Sequence, residues 1–392
     1  MESKHEVIIV GAGPAGAITA VSLAQQGHEV LLVDRQQFPR DKTCGDAVPA
    51  GAIELMWRFG MREKIQQAVR RGEFYPVSGM LLVSPKGRRM EADFNKGKAG
   101  GNSYVAPRLY LDAIIQQHAV DSGAQFLQAN VKEPIVEDGR VTGIRARVND
   151  SIKEFHAQLV IGADGVTSAI TRALRPKANQ HIDKHRAVAL RAYAKNIEEF
   201  PHQVEFYFYD EILPGYAWIF PTGDNQANVG LGMRLDRFRG DHGKGRLKNM
   251  LDDFLAMPEI KERLLPGFEL RDVATWQLNF GSQKRLQHVY DGAILVGDAA
   301  GFINPLTGGG IHNAMVSADL AAQTAHNALQ KGDVSRQSLK IYETQIHDAM
   351  WKNMRRSYTL QRSLLNFPFL IDMLIKWMGR NSNFAKTFLT KL

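Results

Sequence analysis

Val7-Ile8-Ile9-Val10-Gly11-Ala12-Gly13-Pro14-Ala15-Gly16 is an apolar strand pattern that runs directly into a turn of closely spaced glycines. A helical stretch follows, and then a second apolar run, Val30-Leu31-Leu32-Val33. Gly11 permits the tight turn, Gly13 lets the backbone approach a pyrophosphate, and Gly16 allows helix and strand to pack closely. The stretch therefore predicts a strand–turn–helix unit that binds a dinucleotide.

An acidic residue at the end of the second strand supports this prediction. Asp34 lies eighteen residues after Gly16, where its carboxylate could accept hydrogen bonds from a ribose and would repel a 2′-phosphate. The start of the helix adds unpaired N–H groups and a favourable dipole. The ligand is predicted to bind through adenosine. At this point FAD and NAD are both open, and the alternative is a βαβ unit without a ligand.

Composition indicates a globular protein without structural disulfides. The chain has 392 residues, of which 44% are hydrophobic and 23% charged, enough for two domains or one domain with a lobe. Its one cysteine, Cys44, excludes an internal disulfide, and no window has the ~18 uncharged apolar residues of a membrane span. The predicted location is cytoplasmic.

The net charge of +8 fits an acidic electron-transfer partner, anionic lipid, a phosphorylated substrate or a merely solvated surface. No nucleic-acid contact and no metal site are predicted.

Two further acid–glycine turns distinguish the dinucleotides. Gly162-Ala163-Asp164-Gly165 follows one predicted strand, and Gly297-Asp298 follows another and continues through Pro305 to Gly308-Gly309-Gly310. An NAD domain does not need such a turn about 280 residues beyond its fingerprint, whereas a long ligand lying across the domain does. Over residues 5–330 the three motifs together resemble the FAD-binding core of the p-hydroxybenzoate hydroxylase-like flavoproteins.

The resemblance implies FAD as the cofactor. It implies that Asp298 holds the ribityl or pyrophosphate region and that the helix after Gly308 points at the flavin, where its N-terminus would stabilise negative charge. Arg108 matches a family arginine near the flavin, with a surface salt bridge as the alternative. The residues predicted to bind FAD are Gly11, Gly13, Pro14, Ala15, Gly16, Asp34, Arg35, Cys44, Gly45, Arg108, Val131, Asp164, Gly165, Gly297, Asp298, Pro305, Gly308, Gly309, Gly310 and Ile311.

Two more segments narrow the family. Tyr216-Ala217-Trp218-Ile219-Phe220-Pro221, followed by Gly230-Leu231-Gly232, resembles the YxWxFP…GxG signature of geranylgeranyl reductases. Lys42-Thr43-Cys44-Gly45-Asp46 resembles that family's segment beside the isoalloxazine. The chain is identified as a member of this family, which saturates polyprenyl double bonds. The resemblance implies a geranylgeranyl-type chain on a lipid, diphosphate, quinone or chlorophyll precursor as the substrate.

The same segments supply candidate substrate and catalytic residues. Tyr216, Trp218 and Phe220 alternate along a predicted strand and would share one face of an apolar tunnel, which Gly230 and Gly232 would let a ligand approach. Ordinary strand propensity of aromatic residues is the alternative. Because an isolated alkene is a poor hydride acceptor, its reduction needs a proton as well as a hydride from the flavin. Cys44 is predicted to shape the site or relay this proton, or else to be a small buried hydrophobe.

Asp46 is a second candidate for the proton relay, and His312 is expected to cap or pack. No second GxGxxG follows a strand, so the electron donor is predicted to be NAD(P)H that docks transiently, or ferredoxin. The apolar tail around 364–378, which includes Lys376, would lie on an anionic membrane surface or pack on the body and close the tunnel.

The predicted fold is α/β. A Rossmann-like FAD-binding domain of the p-hydroxybenzoate hydroxylase type is split over residues 1–175 and 285–335. An antiparallel β-sheet substrate domain is inserted at residues 176–284, and a helical region covers residues 336–392. The competing functions are an FAD-dependent monooxygenase or halogenase acting on an aromatic or polyketide substrate, and a non-enzymatic flavin or lipid carrier.

Overall fold

The computed structural model describes residues 4–93, 102–175, 182–198, 200–240, 246–283, 286–367 and 369–380. The strands are β1 (Lys4–Val10), β2 (Val30–Asp34), β3 (Ala47–Val48), β4 (Tyr75–Val77), β5 (Gly79–Val83), β6 (Arg89–Asp93), β7 (Ser103–Val105), β8 (Gln125–Gln128), β9 (Asn130–Glu137), β10 (Arg140–Val148), β11 (Ser151–Gly162), β12 (Arg186–Ile197), β13 (Gln203–Tyr207), β14 (Tyr216–Gly223), β15 (Gln226–Arg234), β16 (Leu264–Asn279), β17 (Val289–Tyr290) and β18 (Ala293–Leu295). The helices are α1 (Pro14–Gln25), α2 (Ala50–Arg58), α3 (Arg62–Arg70), α4 (Arg108–Asp121), α5 (Ala169–Leu174), α6 (Leu235–Gly240), α7 (Arg246–Ala256), α8 (Pro258–Lys261), α9 (Gly297–Ala300), α10 (Ile311–Gln330), α11 (Arg336–Leu339), α12 (Ile341–Ile346), α13 (Lys352–Asn366) and α14 (Phe369–Arg380).

The first sheet is the Rossmann-like sheet that the glycine motif predicts. Its strands lie in the order β17-β18-β11-β1-β2-β8, and β10 and β9 extend it from β11. The four pairs from β18 to β8 are parallel. Continuous apolar runs such as Val7-Ile8-Ile9 are buried because helices cover the strands, and α1 packs against both α4 and α10.

The second sheet has seven strands in the order β16-β12-β15-β14-β13-β5-β6. All its pairs are antiparallel except that of β5 with β13. Alternate residues on one face of this sheet form a hydrophobic cluster with Leu251 and Phe254 of α7. The opposite face carries Trp218 and Phe220 and looks toward the first sheet.

The structure corrects the predicted division of the chain at one point. The hairpin of β5 and β6 lies in the second sheet, whereas the division at residue 176 assigns it to the FAD-binding domain. Gly79 pairs with Gln203 through the parallel contact between β5 and β13. A local pattern cannot reveal a contact between residues so far apart in the chain, so the hairpin itself was predictable and its sheet was not.

The C-terminal part is helical, as predicted for residues 336–392. Over its described residues α11, α12, α13 and α14 follow one another, with a π-helical segment at His347–Trp351 between α12 and α13. One face of α14, including Ile371, Ile375 and Met378, packs in a cluster with Met90. Among the described residues, no helix is long and apolar enough to cross a membrane.

Candidate active site

One cleft of about 520 Å³ brings together residues from both sheets. It is lined on one side by the turn after β1 and by the loop before α10, and on the other by β12, β14 and β15. Most of the residues predicted to bind FAD lie on its wall. They are Gly11, Gly13, Pro14, Ala15, Asp34, Arg35, Cys44, Gly45, Arg108, Val131, Asp164, Gly165, Asp298, Pro305, Gly308, Gly310 and Ile311.

The glycine turn is shaped by close backbone contacts. Gly11 has a φ of +99°, and a Cβ atom added there would lie 2.4 Å from the carbonyl oxygen of Ala163. A Cβ atom on Gly16 would lie 1.8 Å from the carbonyl oxygen of Gly11, so Gly16 serves packing and does not line the cleft. Gly13 faces open space, because a Cβ atom there would meet nothing nearer than a nitrogen of Arg40 at 3.7 Å.

Two arginines flank the open side of this turn. Arg108 donates from Nε and Nη2 to the carboxylate of Asp112 at 2.6 and 2.7 Å, and Arg40 donates to the same carboxylate at 2.7 Å. Arg108 is only 4% exposed, so the surface salt bridge considered for it is excluded. Burial acts to raise the pKa of Asp112, but the two guanidinium groups outweigh it and hold this pKa below its usual range. The result is a positively charged border beside Gly13.

The acidic residues of the three motifs have different partners. Asp34 accepts hydrogen bonds from the backbone N–H groups of Ala12 and Gln36 at 2.8 and 2.9 Å. Asp164 accepts from the Ser168 hydroxyl and, at 2.7 Å, from the Ala169 N–H, so its carboxylate also holds its own turn in place. Burial raises the pKa of Asp164.

Asp298 faces the cleft beside a lysine that the site prediction omitted. Its carboxylate accepts a hydrogen bond from Nζ of Lys42 at 3.2 Å, and both residues line the cleft. The neighbouring Gly297 instead serves packing, since a Cβ atom there would lie 2.8 Å from Cβ of Ala15. Gly309 is likewise absent from the cleft wall.

The loop before α10 is held by Asn304. Its side-chain oxygen accepts hydrogen bonds from the N–H groups of Leu306 and Thr307 at 2.9 and 3.2 Å. Gly308 has a φ of +65°, and α10 then begins at Ile311 without a side-chain cap. The first N–H groups and the positive end of this 20-residue helix therefore face the cleft.

The aromatic wall is only partly what the sequence predicts. Tyr216, Trp218, Phe220 and Gly232 line the cleft. Gly230 does not, which corrects its predicted role: a Cβ atom there would lie 2.4 Å from the Trp218 ring, so this glycine makes room for the indole. The Tyr216 hydroxyl donates to the carbonyl oxygen of Thr307 and ties the wall to the loop before α10.

Behind the wall lies a buried hydrogen-bond network centred on Asp46. The Tyr193 hydroxyl and the Asn228 amide both donate to Oδ2 of Asp46, at 2.7 and 2.8 Å, while Oδ1 has no hydrogen-bond partner among the described residues. Asp46 is 0% exposed, and burial raises its pKa to about 6. It does not line the cleft, so it can act on a substrate only through its neighbours.

Cys44 is the member of this region that reaches the cleft. Its carbonyl oxygen accepts from the Asn228 amide at 2.8 Å, and Asn228 in turn accepts from the Trp218 indole at 2.9 Å. Burial and then the Asp46 carboxylate raise the pKa of the Cys44 thiol. A raised pKa favours the neutral form of the thiol, and Cys44 lines the cleft.

Several cleft residues were missed by the sequence prediction, among them Arg40, Lys42, Arg191, Arg234 and Gln361. Arg191 is a polar residue at an alternate position of an otherwise apolar strand, and this pattern is the signal that could have indicated it. His312 packs closely against Gly51, as expected of a structural residue.

Comparison with known proteins gives consistent results. A family model described as FAD binding domain matches residues 4–357. Digeranylgeranylglycerophospholipid reductase 2 of Methanococcoides burtonii is 31% identical, with 100% of this chain and 92% of the relative covered. The protein of the same name from Methanopyrus kandleri is 30% identical, with 92% and 86% covered.

Solved structures agree on the fold. A geranylgeranyl bacteriochlorophyll reductase-like protein from Thermoplasma acidophilum has a TM-score of 0.86 and 27% identity, with 96% of this chain and 92% of the other covered. The flavin-dependent brominase Bmp2 has a TM-score of 0.79 at 19% identity, with 99% and 93% covered, and so shares the fold.

Proposed function

The chain belongs to the geranylgeranyl reductase family of FAD-dependent oxidoreductases, and we propose that it saturates carbon–carbon double bonds of a geranylgeranyl-type chain. The observation that supports this most directly is the continuity of one cleft. It joins the glycine turn and the start of α10 to the aromatic wall of Tyr216, Trp218 and Phe220. A dinucleotide and a long apolar chain can therefore meet in it.

The residues on the first side of the cleft suit FAD. Arg40 and Arg108 border the open side of Gly13, where the pyrophosphate would be held by two cations and by the uncapped start of α1. Asp34 would bind the adenosine ribose, and Lys42 and Asp298 the middle of the cofactor. The N-terminus of α10 would stabilise negative charge on the ring. Once reduced by the electron donor, bound FAD would supply the hydride for reduction of the double bond.

The residues on the second side position the alkene and provide the proton. Trp218 and Phe220 pack on the backbone of Gly45, which fixes the aromatic wall against the segment that carries Cys44. We assign the neutral Cys44 thiol as the group that presents a proton, and Asp46 as the residue that positions it through Asn228. The apolar wall would shield the bound chain from water.

Product mass tests this function and separates it from its competitors. Purified protein with FAD, dithionite and geranylgeranyl lipids should give products heavier by two mass units for each bond reduced. A monooxygenase reaction in air would add sixteen mass units, and a carrier would release the lipid unchanged. Either of these results would contradict the proposal.

We propose NAD(P)H or ferredoxin as the physiological electron donor. The net charge of +8 suits an acidic ferredoxin, and transient docking of NAD(P)H needs no second fingerprint. Reduction of the flavin by each donor under anaerobic conditions would distinguish them.

We also propose that α14 contacts an anionic membrane surface. Phe369, Met373 and Trp377 recur every four residues on its outer face, and each is roughly half exposed. Exposed positive charge lies beside these three side chains, on Lys376 and on the Lys86–Arg88 turn. The turn is held next to α14 because Asp372 accepts a hydrogen bond from the Lys86 N–H at 3.3 Å. Such a face binds anionic lipid through apolar insertion and charge.

Vesicle flotation tests this contact. The full chain should float with phosphatidylglycerol vesicles, and the variant F369S/M373S/W377S should stay in solution with its FAD bound. Equal flotation of both proteins would exclude binding through α14.

A further inference from the structure

Each reduction of a double bond consumes a proton that the site must replace. In the proposed function, one carbon of the double bond receives a hydride from reduced FAD and the other receives the thiol proton of Cys44. Two C–H bonds form, the π bond is lost, and the sulfur is left as a thiolate. The next turnover needs a new proton on Cys44, although the aromatic wall of Tyr216, Trp218 and Phe220 shields the bound chain from water.

Asp46 is placed to return this proton. Its backbone N–H hydrogen-bonds to the Cys44 sulfur, and its carboxyl group acts on the thiol electrostatically. Burial raises the pKa of Asp46 to about 6, against the opposing effects of Tyr193, Asn228 and the cations Arg191 and Arg108. Burial also raises the pKa of the thiol from an ordinary value of 9.0. Transfer of a proton from the Asp46 carboxyl to the Cys44 thiolate is therefore favourable.

Tyr193 lies between Asp46 and a solvent-exposed part of the surface. Its hydroxyl donates to Oδ2 of Asp46 at 2.7 Å, and the residue is partly exposed. The guanidinium of Arg191 lies 4.4 Å from the centre of the Tyr193 ring and donates to Asp41 at 2.5 Å. The Asp41 side chain is 46% exposed, and neither Asp41 nor Tyr193 lines the cleft. Water can therefore approach this hydroxyl without entering the cleft.

The Tyr193 hydroxyl is suited to pass protons on without becoming charged. Burial and then the Asp46 carboxylate raise its pKa, so a tyrosinate is not formed. The hydroxyl can still donate its proton to Asp46 if it accepts another from water at the same time, because its oxygen is both donor and acceptor. Asn228, the second donor to Oδ2, has an amide nitrogen that donates only.

We propose that Tyr193 and Asp46 return protons from the solvent to Cys44 along a route that does not pass through the cleft. Water protonates the Tyr193 hydroxyl as that hydroxyl protonates Asp46, and the Asp46 carboxyl protonates the Cys44 thiolate. The solvent thus supplies one proton for each double bond reduced. Tyr193 is a positioning residue, since it acts through Asp46 and does not contact the substrate. The proposal rests on the proposed function and extends it.

Counting turnovers tests this route. Tyr193→Phe removes only the hydroxyl. The FAD-loaded variant and the wild type are mixed anaerobically with excess dithionite and geranylgeranyl diphosphate, and the reduced bonds are counted by mass at successive times. The first bond per FAD should be reduced at the wild-type rate, because Cys44 starts protonated. Later bonds should be reduced about 100-fold more slowly in the variant, the lower end of what a positioned proton-transfer group contributes. The wild type should show no such break.

A matched variant and a small acid serve as controls. Tyr207→Phe removes a hydroxyl that donates to Glu205 at 2.6 Å on the opposite face of the same sheet, and should behave as the wild type. Protonated imidazole should speed the later turnovers of Tyr193→Phe in proportion to its concentration and leave the wild type unchanged. A purely structural role of Tyr193 predicts no such rescue. The flavin spectrum reports whether each variant still binds FAD.

Electrostatics alone predicts the opposite result for Tyr193→Phe. The lost hydrogen bond lowers the pKa of Asp46, so without it Asp46 holds a proton at higher pH. If the hydroxyl served only to set this pKa, the later turnovers at pH 7 would be as fast as in the wild type or faster.

The outcomes separate the proposed route from the function on which it rests. If the wild type reduces no double bond, the proposed function fails and the route with it. If the wild type is active and the later turnovers of Tyr193→Phe keep its rate, the function stands and the route is wrong. If Tyr193→Phe slows the first turnover as much as the later ones, Tyr193 shapes the site and does not supply protons, which also overturns the proposal.

Discussion

Replacing Asp46 by asparagine tests the physical reasoning behind the site most directly. Asp46 is fully buried and accepts hydrogen bonds from Tyr193 and Asn228 through a single oxygen, Oδ2. The side-chain oxygen of an asparagine can accept the same two bonds, and its NH₂ group takes the place of Oδ1, which has no partner in the part of the chain that the structure describes. The variant therefore removes the charge and keeps the shape.

The magnitude follows from the pKa of Asp46, which burial raises from 3.8 to about 6. The difference of about two units corresponds to about 3 kcal/mol. The folded protein holds this proton more tightly than the unfolded chain. The contribution of Asp46 to the free energy of unfolding is therefore largest below pH 3.8, where both states are protonated. Its contribution is lost as the pH rises through about 6, after which the ionised carboxylate is a constant cost.

The assay is urea unfolding of the FAD-saturated protein between pH 4 and pH 8. The difference in the free energy of unfolding between Asp46→Asn and the wild type should increase in favour of the variant up to about pH 6. It should then level off near pH 7, about 2.5 kcal/mol above its value at pH 4, because the unfolded carboxyl is already partly ionised at pH 4.

Tyr193→Phe provides the matched control. It removes one hydrogen bond that lowers the pKa of Asp46, so in this variant the loss of stability should extend to higher pH. A difference between Asp46→Asn and the wild type that does not change with pH would refute the reasoning. Asp46 would then not be a desolvated carboxylate.

Three further substitutions probe the catalytic side of the cleft, its substrate side and the packing of its wall. Cys44→Ser should keep FAD bound and lower alkene reduction, measured by the mass of the lipid product, because the hydroxyl replaces the only thiol at the cleft; full activity would remove Cys44 from the mechanism. Gly232→Leu should raise the half-saturating concentration of the prenyl substrate at least about tenfold without loss of FAD, since its Cβ atom would already lie 3.3 Å from Cβ of Ala189. Gly230→Ala should instead destabilise the protein, because its Cβ atom would overlap the Trp218 ring. If Gly230→Ala weakened substrate binding and Gly232→Leu only destabilised the protein, the described wall would be wrong.

The cofactor side of the site was predictable because its chemistry imposes local requirements on the backbone. The turn at Gly11 needs a positive φ, and the close contact at Gly16 excludes any side chain, so both requirements appear as glycines in a fixed order. The acid–glycine turns around Asp164 and Asp298 show the same kind of local constraint. Motifs of this kind can be read without knowing which distant residues lie beside them.

The remaining features depend on contacts between distant parts of the chain. The Lys42–Asp298 and Arg40–Asp112 ion pairs join segments that no local pattern connects. The same applies to the parallel pairing of β5 with β13, which places the hairpin of β5 and β6 in the second sheet. A spacing pattern specifies an element and its apolar face, but it does not specify which element packs on that face.

On β15, the polar residues mark the cleft face better than aromatic residues do on the neighbouring strands. Aromatic side chains favour strands for reasons unrelated to ligands, and Tyr207 packs on the face away from the cleft although it adjoins Phe206. A charged or amide side chain in an apolar strand is costly unless a partner or a ligand satisfies it. Asn228 and Arg234 are such residues on β15, and both lie on the face that carries Gly232. The polar positions of β15 therefore lie on the face toward the cleft, whereas Glu205 of β13 lies on the opposite face and is paired with Arg263.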